Sequence, residues 1–153
     1  LIERTRIGRL VPHAGSICLL DRAVDYDADG IVCIAISHRD PRNPLARAGR
    51  VSALCAVEYA GQAMALHGAL TRPADGPVRA GYLASVRDLR CHLAYLDECR
   101  DELTVEARLL LAEGARMIYE FELRDGNRVV ISGRAAIALD AGQSNVRPGA
   151  KPD

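Results

Sequence analysis

Residues 51–70 read VSALCAVEYAGQAMALHGAL. The stretch has no proline, is rich in Ala and Leu, and its two glycines, Gly61 and Gly68, are spread out. That composition predicts a helix, and apolar residues on nearly every side predict that it is buried. Ser52 is the candidate for the N-terminal end of its first turn. Thr71-Arg72-Pro73 ends it. Glu58 is the only charged residue between Val51 and Leu70. A carboxylate in the middle of a buried helix is unfavourable unless it has partners or shifts its pKa. Acid/base chemistry is one use for such a group, and a structural pairing with one of the arginines is the other. Gln62 follows four residues later, on the same helix face.

The sequence on either side of this helix reads as strands. Residues 4–15 suggest a short turn of helix and then a loop ending in Pro12-His13-Ala14-Gly15. Residues 17–26 read as a first strand and the apolar, β-branched residues 31–37 as a second, around the turn signal Ala28-Asp29-Gly30, which predicts a hairpin. Residues 38–50 carry two prolines and five arginines or aspartates and read as a loop. After the helix, residues 74–77 are a second loop and residues 81–93 have strand character. Leu103, Val105, Ala107, Leu109 and Leu111 alternate, as do Met117, Tyr119, Phe121 and Leu123. Asp125-Gly126-Asn127 is a hairpin signal before a last strand over 128–139. The order of strand, strand, long helix and four strands predicts an α+β domain over 1–139, with the helix wrapped by a curved antiparallel sheet. The Gly-, Pro- and polar-rich residues 140–153 are expected to be a flexible tail. No internal repeat is present.

The whole-chain figures narrow the function. The chain has 153 residues, enough for one domain with a full core. Its 20 basic and 20 acidic residues balance, so no net field favours nucleic acid or an anionic membrane. Aromatics make up only 4%, which argues against a base-stacking surface. The five cysteines, Cys18, Cys33, Cys55, Cys91 and Cys99, include no C-x-x-C pair. Neither a zinc site nor a redox pair is suggested, and reduced thiols in a cytoplasmic protein are expected. The longest apolar run is broken by Glu58, Gln62 and His67, so no transmembrane span is expected. Residues 2–9 are charged and no long apolar region follows them, so no secretory signal is expected.

Three passages then carry a resemblance. Leu10-Val11-Pro12-His13, followed by Cys18-Leu19-Leu20-Asp21-Arg22-Ala23-Val24, resembles the Leu-Pro-His opening and first strand of the hotdog-fold 3-hydroxyacyl-[acyl-carrier-protein] dehydratases. Ala56-Val57-Glu58-Tyr59-Ala60-Gly61-Gln62-Ala63 resembles that family's helix motif. The order of strands and helix agrees across residues 1–139. More narrowly, the chain looks like the divergent dehydratase-like subunits of aryl-polyene and related lipid-synthesis clusters.

The resemblance implies a hotdog fold, and a dimer in which a helical acid and a loop histidine come from opposite subunits. The histidine removes the α-proton of a 3-hydroxyacyl thioester and the carboxyl group handles the departing hydroxyl. A backbone N–H at the start of the helix polarises the thioester carbonyl. It implies no cofactor, because the phosphopantetheine arm of the carrier protein is part of the substrate. Glu58 stands in the place of the acid. The family's histidine, about fourteen residues upstream, falls on Asn43-Pro44-Leu45, which has no histidine. The glycine that starts the family's helix is replaced by Ala53 or its neighbours. His38 is the nearest candidate for the missing base, if the loop brings it to the site. Its other reading is a strand-end residue bonded to the loop.

Further candidates for substrate binding are Gln62, His13 at the Pro-His opening, and Gly81 and Tyr82, which resemble the segment lining the family's acyl tunnel. Arg39, Arg42, Arg47 and Arg50 crowd the loop before the helix. They read as a dock for a phosphate or an acidic carrier protein, or else as a solvated loop; Arg87 and Arg90 would add to such a patch across a dimer. His67 reads as a satisfied core or interface histidine, and nothing near His92 suggests a metal. Three functions follow. The chain is a dehydratase acting on or binding acyl carrier protein or coenzyme A thioesters in fatty-acid or polyene-type lipid synthesis. Alternatively it is a non-catalytic subunit paired with an active dehydratase, or it is a hotdog thioesterase in which Gln62 holds a water. A homodimer, or a heterodimer with another hotdog subunit, is expected under all three.

Overall fold

The structure is a computed structural model, and it describes residues 1–11, 18–77 and 79–140. Seven strands form one sheet in the order β1-β2-β3-β5-β6-β7-β4. These are β1 (Ile2–Glu3), β2 (Arg22–Tyr26), β3 (Gly30–Ala35), β4 (Gly81–Cys91), β5 (Leu103–Glu113), β6 (Arg116–Asp125) and β7 (Arg128–Leu139). Every neighbouring pair is antiparallel. A short helix, α1 (Arg4–Leu10), and a long one, α2 (Ala56–Thr71), complete the regular elements, with 3-10 turns at Ser37–Arg39, Ala53–Cys55 and Leu96–Glu98.

The α+β class and the long helix against an antiparallel sheet are as the sequence predicts. β1 is an addition: two residues just before α1 pair with β2, too short to leave a periodic signal. β2 begins at Arg22 rather than at residue 17, and β3 ends at Ala35, where the chain turns into the 3-10 turn. The tail lies outside the described residues except for Asp140, as does His13.

The core lies between α2 and the central strands β3, β5 and β6. Alternate residues of each strand point inward: Ile31, Cys33 and Ala35 from β3, Leu103, Val105 and Ala107 from β5, and Tyr119, Phe121 and Leu123 from β6 are all buried. They meet Ala56, Tyr59, Ala60, Ala63, Met64 and Leu66 of α2. The β5 alternation stops after Leu109, because a register shift between Leu109 and Leu111 takes Leu111 out to 40% exposure. Gly30 is needed for more than its turn: a Cβ there would stand 2.7 Å from the Ala107 carbonyl oxygen of β5. Among the described residues, no helix is long and apolar enough to cross a membrane.

The helix is less enclosed than its composition predicts. Leu54, Glu58 and Ala65 are exposed and Gly61, Gly68 and Ala69 half-buried, so one stripe of α2 is uncovered. Only the opposite face packs on the sheet. A stripe of Gly and Ala carries no polar signature, so the open face could not be told from the buried one by hydropathy.

Candidate functional site

The uncovered stripe of α2 is the floor of a cleft of about 490 Å³. Gly61, Ala65, Gly68 and Ala69 keep the floor flat. Gly81, Tyr82 and Leu83 of β4 and Ile137 and Leu139 of β7 line the cleft as well. Met117 and Tyr119 of β6 and Leu10 and Val11 at the end of α1 also contribute. The lining is mostly apolar, and Glu58 is the only carboxylate among its described residues.

Glu58 therefore stands where chemistry is possible, but not as a buried acid. It is exposed at one end of the cleft. Its neighbour Tyr59 takes the buried position, with a wholly enclosed ring. Gln62, 5% exposed, also lines the cleft, and its Oε1 accepts the Leu19 N–H at 2.9 Å. This amide ties the segment before β2 to the helix.

Below the helix a hydrogen-bond chain fixes the loop. Ser37 Oγ donates to the Leu19 carbonyl at 2.8 Å and lies 2.8 Å from the Tyr59 hydroxyl. A serine has one hydroxyl proton, so Tyr59 is the donor to Ser37. The Asn43 amide donates to Tyr59 at 3.1 Å and to the Ser37 carbonyl at 2.8 Å, while its oxygen accepts the Leu45 N–H at 2.9 Å. Burial raises the Tyr59 pKa, against the pull of these two partners.

His38 does not join Glu58 within the chain. It is 1% exposed, is not among the cleft residues, and sits in the 3-10 turn that packs on Leu96–Glu98. Burial, aided by Arg39, lowers its pKa. Backbone groups of Cys99 and Asp101 pull the other way, yet neither ring nitrogen makes a well-formed hydrogen bond. An imidazole enclosed this way is closed to a substrate, so His38 is a buried loop residue rather than an exposed base.

The loop arginines are also occupied, and none lines the cleft. Arg39 donates to the Arg100 carbonyl. Arg42 pairs with Asp40, whose carboxyl it holds below its ordinary range. Arg47 donates to the Pro44 and Ala46 carbonyls. Arg50 pairs with Asp97 at 2.6 Å and lies 3.9 Å over the Tyr95 ring. Burial pushes Asp97 up, but the Val51 N–H and Arg50 outweigh it and leave the carboxyl below its usual value. These contacts pin the helix start to the 95–97 turn.

The helix start has no spare donor in its first residues. The Ala53 N–H bonds the Ala94 carbonyl, Leu54 bonds the Ser52 hydroxyl, Cys55 bonds the Ser52 carbonyl, and Ala56 bonds back to Ala53 and Leu54. An N–H waiting for a thioester carbonyl at these four positions is thus absent.

His67 is the satisfied core histidine that the sequence suggests: its Nδ1 lies 2.8 Å from the Tyr119 hydroxyl and its Nε2 2.9 Å from the Asp27 carbonyl. No metal-binding cluster occurs among the described residues. The sequence reading missed Arg72 and Arg79, which line the other end of the cleft. Arg72 read only as the last residue before a helix-ending proline. Tyr119 also lines the cleft, and the alternation of β6 had already turned it inward.

Comparison with known proteins gives this geometry a family. A family model described as ApeP-like, ApeP dehydratase, matches residues 5–144. Among solved structures, the dehydratase heterocomplex ApeI:P from Xenorhabdus doucetiae is similar with a TM-score of 0.77 and 21% identity, covering 88% of this chain and 90% of that one. A thioesterase from Haemophilus influenzae is similar with a TM-score of 0.66 and 13% identity, over 96% of each chain. A mutant thioesterase from Pseudomonas aeruginosa is similar with a TM-score of 0.57 and 15% identity, over 77% of this chain and 79% of that one. At these identities the likeness is one of fold, and the fold is the hotdog fold. No curated protein sequence matches the chain.

Proposed function

The chain belongs to the ApeP-like dehydratase family, and from that premise we propose that it is the acid-bearing subunit of a two-chain site for 3-hydroxyacyl thioesters carried on acyl carrier protein. The observation that carries this reading is the cleft itself. Glu58 stands at one end of an apolar groove, and no histidine is among the described residues that line it. The position of the family's loop histidine is filled by Asn43-Pro44-Leu45, and Asn43 is turned inward as an anchor. A second hotdog subunit would supply the base. It takes the proton from the carbon next to the thioester, the carbon–oxygen bond at the 3-position breaks, and the Glu58 carboxyl protonates the leaving hydroxide. A double bond and one water result. The only prosthetic element needed is the phosphopantetheine arm that belongs to the substrate.

β4 is the strand that supports pairing. It is 11 residues long, lies at the sheet edge, and has only Val86 and Leu89 half-buried. Tyr82 and Leu83 on it are 57% and 44% exposed. Long apolar edges of this kind are ordinarily covered by a partner strand. The similar structure ApeI:P, which shares this fold, is by its name a dehydratase heterocomplex.

The test is reconstitution. The purified chain is assayed alone, and with a histidine-bearing hotdog subunit, on a 3-hydroxyacyl carrier protein, with loss of water read by mass. The expected result is no turnover by the chain alone, turnover by the pair, and its loss when this chain carries Glu58→Gln. Turnover by the chain alone would overturn the two-chain reading. Release of free thiol without dehydration would favour the thioesterase instead.

A further inference from the structure

We propose that Arg72 and Arg79 form an anion subsite that takes the terminal phosphate of a phosphopantetheine arm whose thioester lies toward Glu58. The proposal deepens the thioester reading above and rests on it.

Both guanidinium-bearing residues line the cleft, and with Glu58 they are its only charged described residues. The cleft thus has a carboxylate at one end and two cations at the other. Both arginines are exposed. Neither makes an ion pair or hydrogen bond among the described residues, whereas Arg22, Arg50 and Arg124 are each paired. Asp75, in the turn between them, pairs with neither. The stem of Arg72 is packed: a Cβ on Gly76 would lie 3.3 Å from its Cγ. The stem of Arg72 thus runs beside Gly76, and no anionic neighbour engages its head among the described residues. Two free guanidiniums beside apolar walls suit a phosphate, which accepts planar, bidentate hydrogen bonds.

The spacing fits the ligand. Glu58 and Arg72 are fourteen residues apart, one within α2 and one at its C-terminal cap, about 21 Å along the axis. The pantetheine arm is an amide-linked chain of about four residues' length, so its extended reach is roughly 15 Å, and the bonds on to the 3-carbon of the acyl group add about 4 Å. A phosphate at Arg72 and Arg79 therefore brings the hydroxyl-bearing carbon to Glu58. The flat floor of Gly61, Ala65, Gly68 and Ala69 gives the arm an unobstructed path.

The experiment compares binding of two non-eliminating thioether analogues, 3-hydroxyacyl-pantetheine with and without its terminal phosphate, to the chain reconstituted with a histidine-bearing hotdog subunit, by calorimetry. The wild type is expected to bind the phosphorylated arm about tenfold tighter, the effect of a charge-assisted contact at a partly exposed site. The Arg72→Ala, Arg79→Ala double variant is expected to lose that preference and bind the unphosphorylated arm as the wild type does. The paired lysine variant is expected to keep part of it. Circular dichroism checks that the variants fold. Equal affinity of the wild type for both arms would overturn the subsite and leave the thioester reading standing. Failure to bind either arm would overturn both. A third analogue bears a carboxylate at the far end of its acyl chain; if the arginine variants weaken this ligand alone, the cleft runs the other way and the phosphate assignment is wrong.

Discussion

The Asn43 side-chain amide donates to the Tyr59 hydroxyl at 3.1 Å, one residue along α2 from Glu58. Where the dehydratases to which this chain bears a resemblance carry a catalytic histidine in the loop, this chain carries an amide committed to its own helix. The loop and the helix that carries Glu58 are coupled through Tyr59, so Asn43 is part of the support for that helix.

Asn43→Ala removes three hydrogen bonds and leaves the Tyr59 hydroxyl and Ser37 carbonyl short of a partner at a 6% exposed site. The expected loss of stability is about 2–3 kcal/mol. Urea denaturation checks it, and a midpoint unchanged from wild type would show that the loop is not held this way.

Glu58→Gln should separate stability from function. The carboxylate is exposed and makes no ion pair among the described residues, so the substitution should shift unfolding by no more than about 0.5 kcal/mol. In the reconstituted pair it should lower kcat by about 100-fold or more, the usual loss of a general acid. A melting point that falls by many degrees would instead make Glu58 a structural residue.

Much of this was legible in the sequence, for a physical reason. Strands β5 and β6 bury one face over most of their length, so their alternation picks out the inward set Leu103, Val105, Ala107, Tyr119 and Phe121, while the register shift past Leu109 escapes it. The long helix was legible from its lack of breakers. Its open stripe was not, because Gly61, Ala65 and Gly68 look alike whether they meet a strand or an empty cleft. Nor was the fate of the polar residues. Hydropathy does not distinguish a His38 enclosed by a 3-10 turn from one facing a substrate, nor an Arg50 committed to Asp97 from an Arg72 left free. Those outcomes depend on contacts across 40 residues or more, such as Arg50 with Asp97.

His38 should set part of the acid limit of stability. Its folded pKa lies below the ordinary 6.5, chiefly through burial. The unfolded chain therefore binds a proton before the folded one does. The contribution is complete above about pH 6.5 and is lost as the pH falls below that value toward the folded pKa. His38→Leu removes an imidazole with no well-formed hydrogen bond, so it should be near neutral in stability at pH 7.5 and should flatten the decline between pH 6.5 and 5. Denaturant midpoints across that range test this; an unchanged acid slope in the variant would place the sensitivity elsewhere.

The last prediction concerns the wall of the cleft. His67 Nε2 faces the Asp27 carbonyl, which only accepts, so that nitrogen carries the proton and Nδ1 is left to accept from the Tyr119 hydroxyl. Burial raises the Tyr119 pKa, so the phenol stays protonated and remains a donor. Tyr119 also lines the cleft, and its hydrogen bond to His67 fixes the ring that a bound chain would touch. Tyr119→Phe leaves Nδ1 of a fully buried imidazole without its donor and should lower stability by about 1–3 kcal/mol. Combined with His67→Leu the two losses should be less than additive, since each removes the same bond. Nitrogen resonances of His67 should report the Nε2–H tautomer in the wild type. Additive losses, or an Nδ1–H tautomer, would mean that Tyr119 is positioned by packing alone.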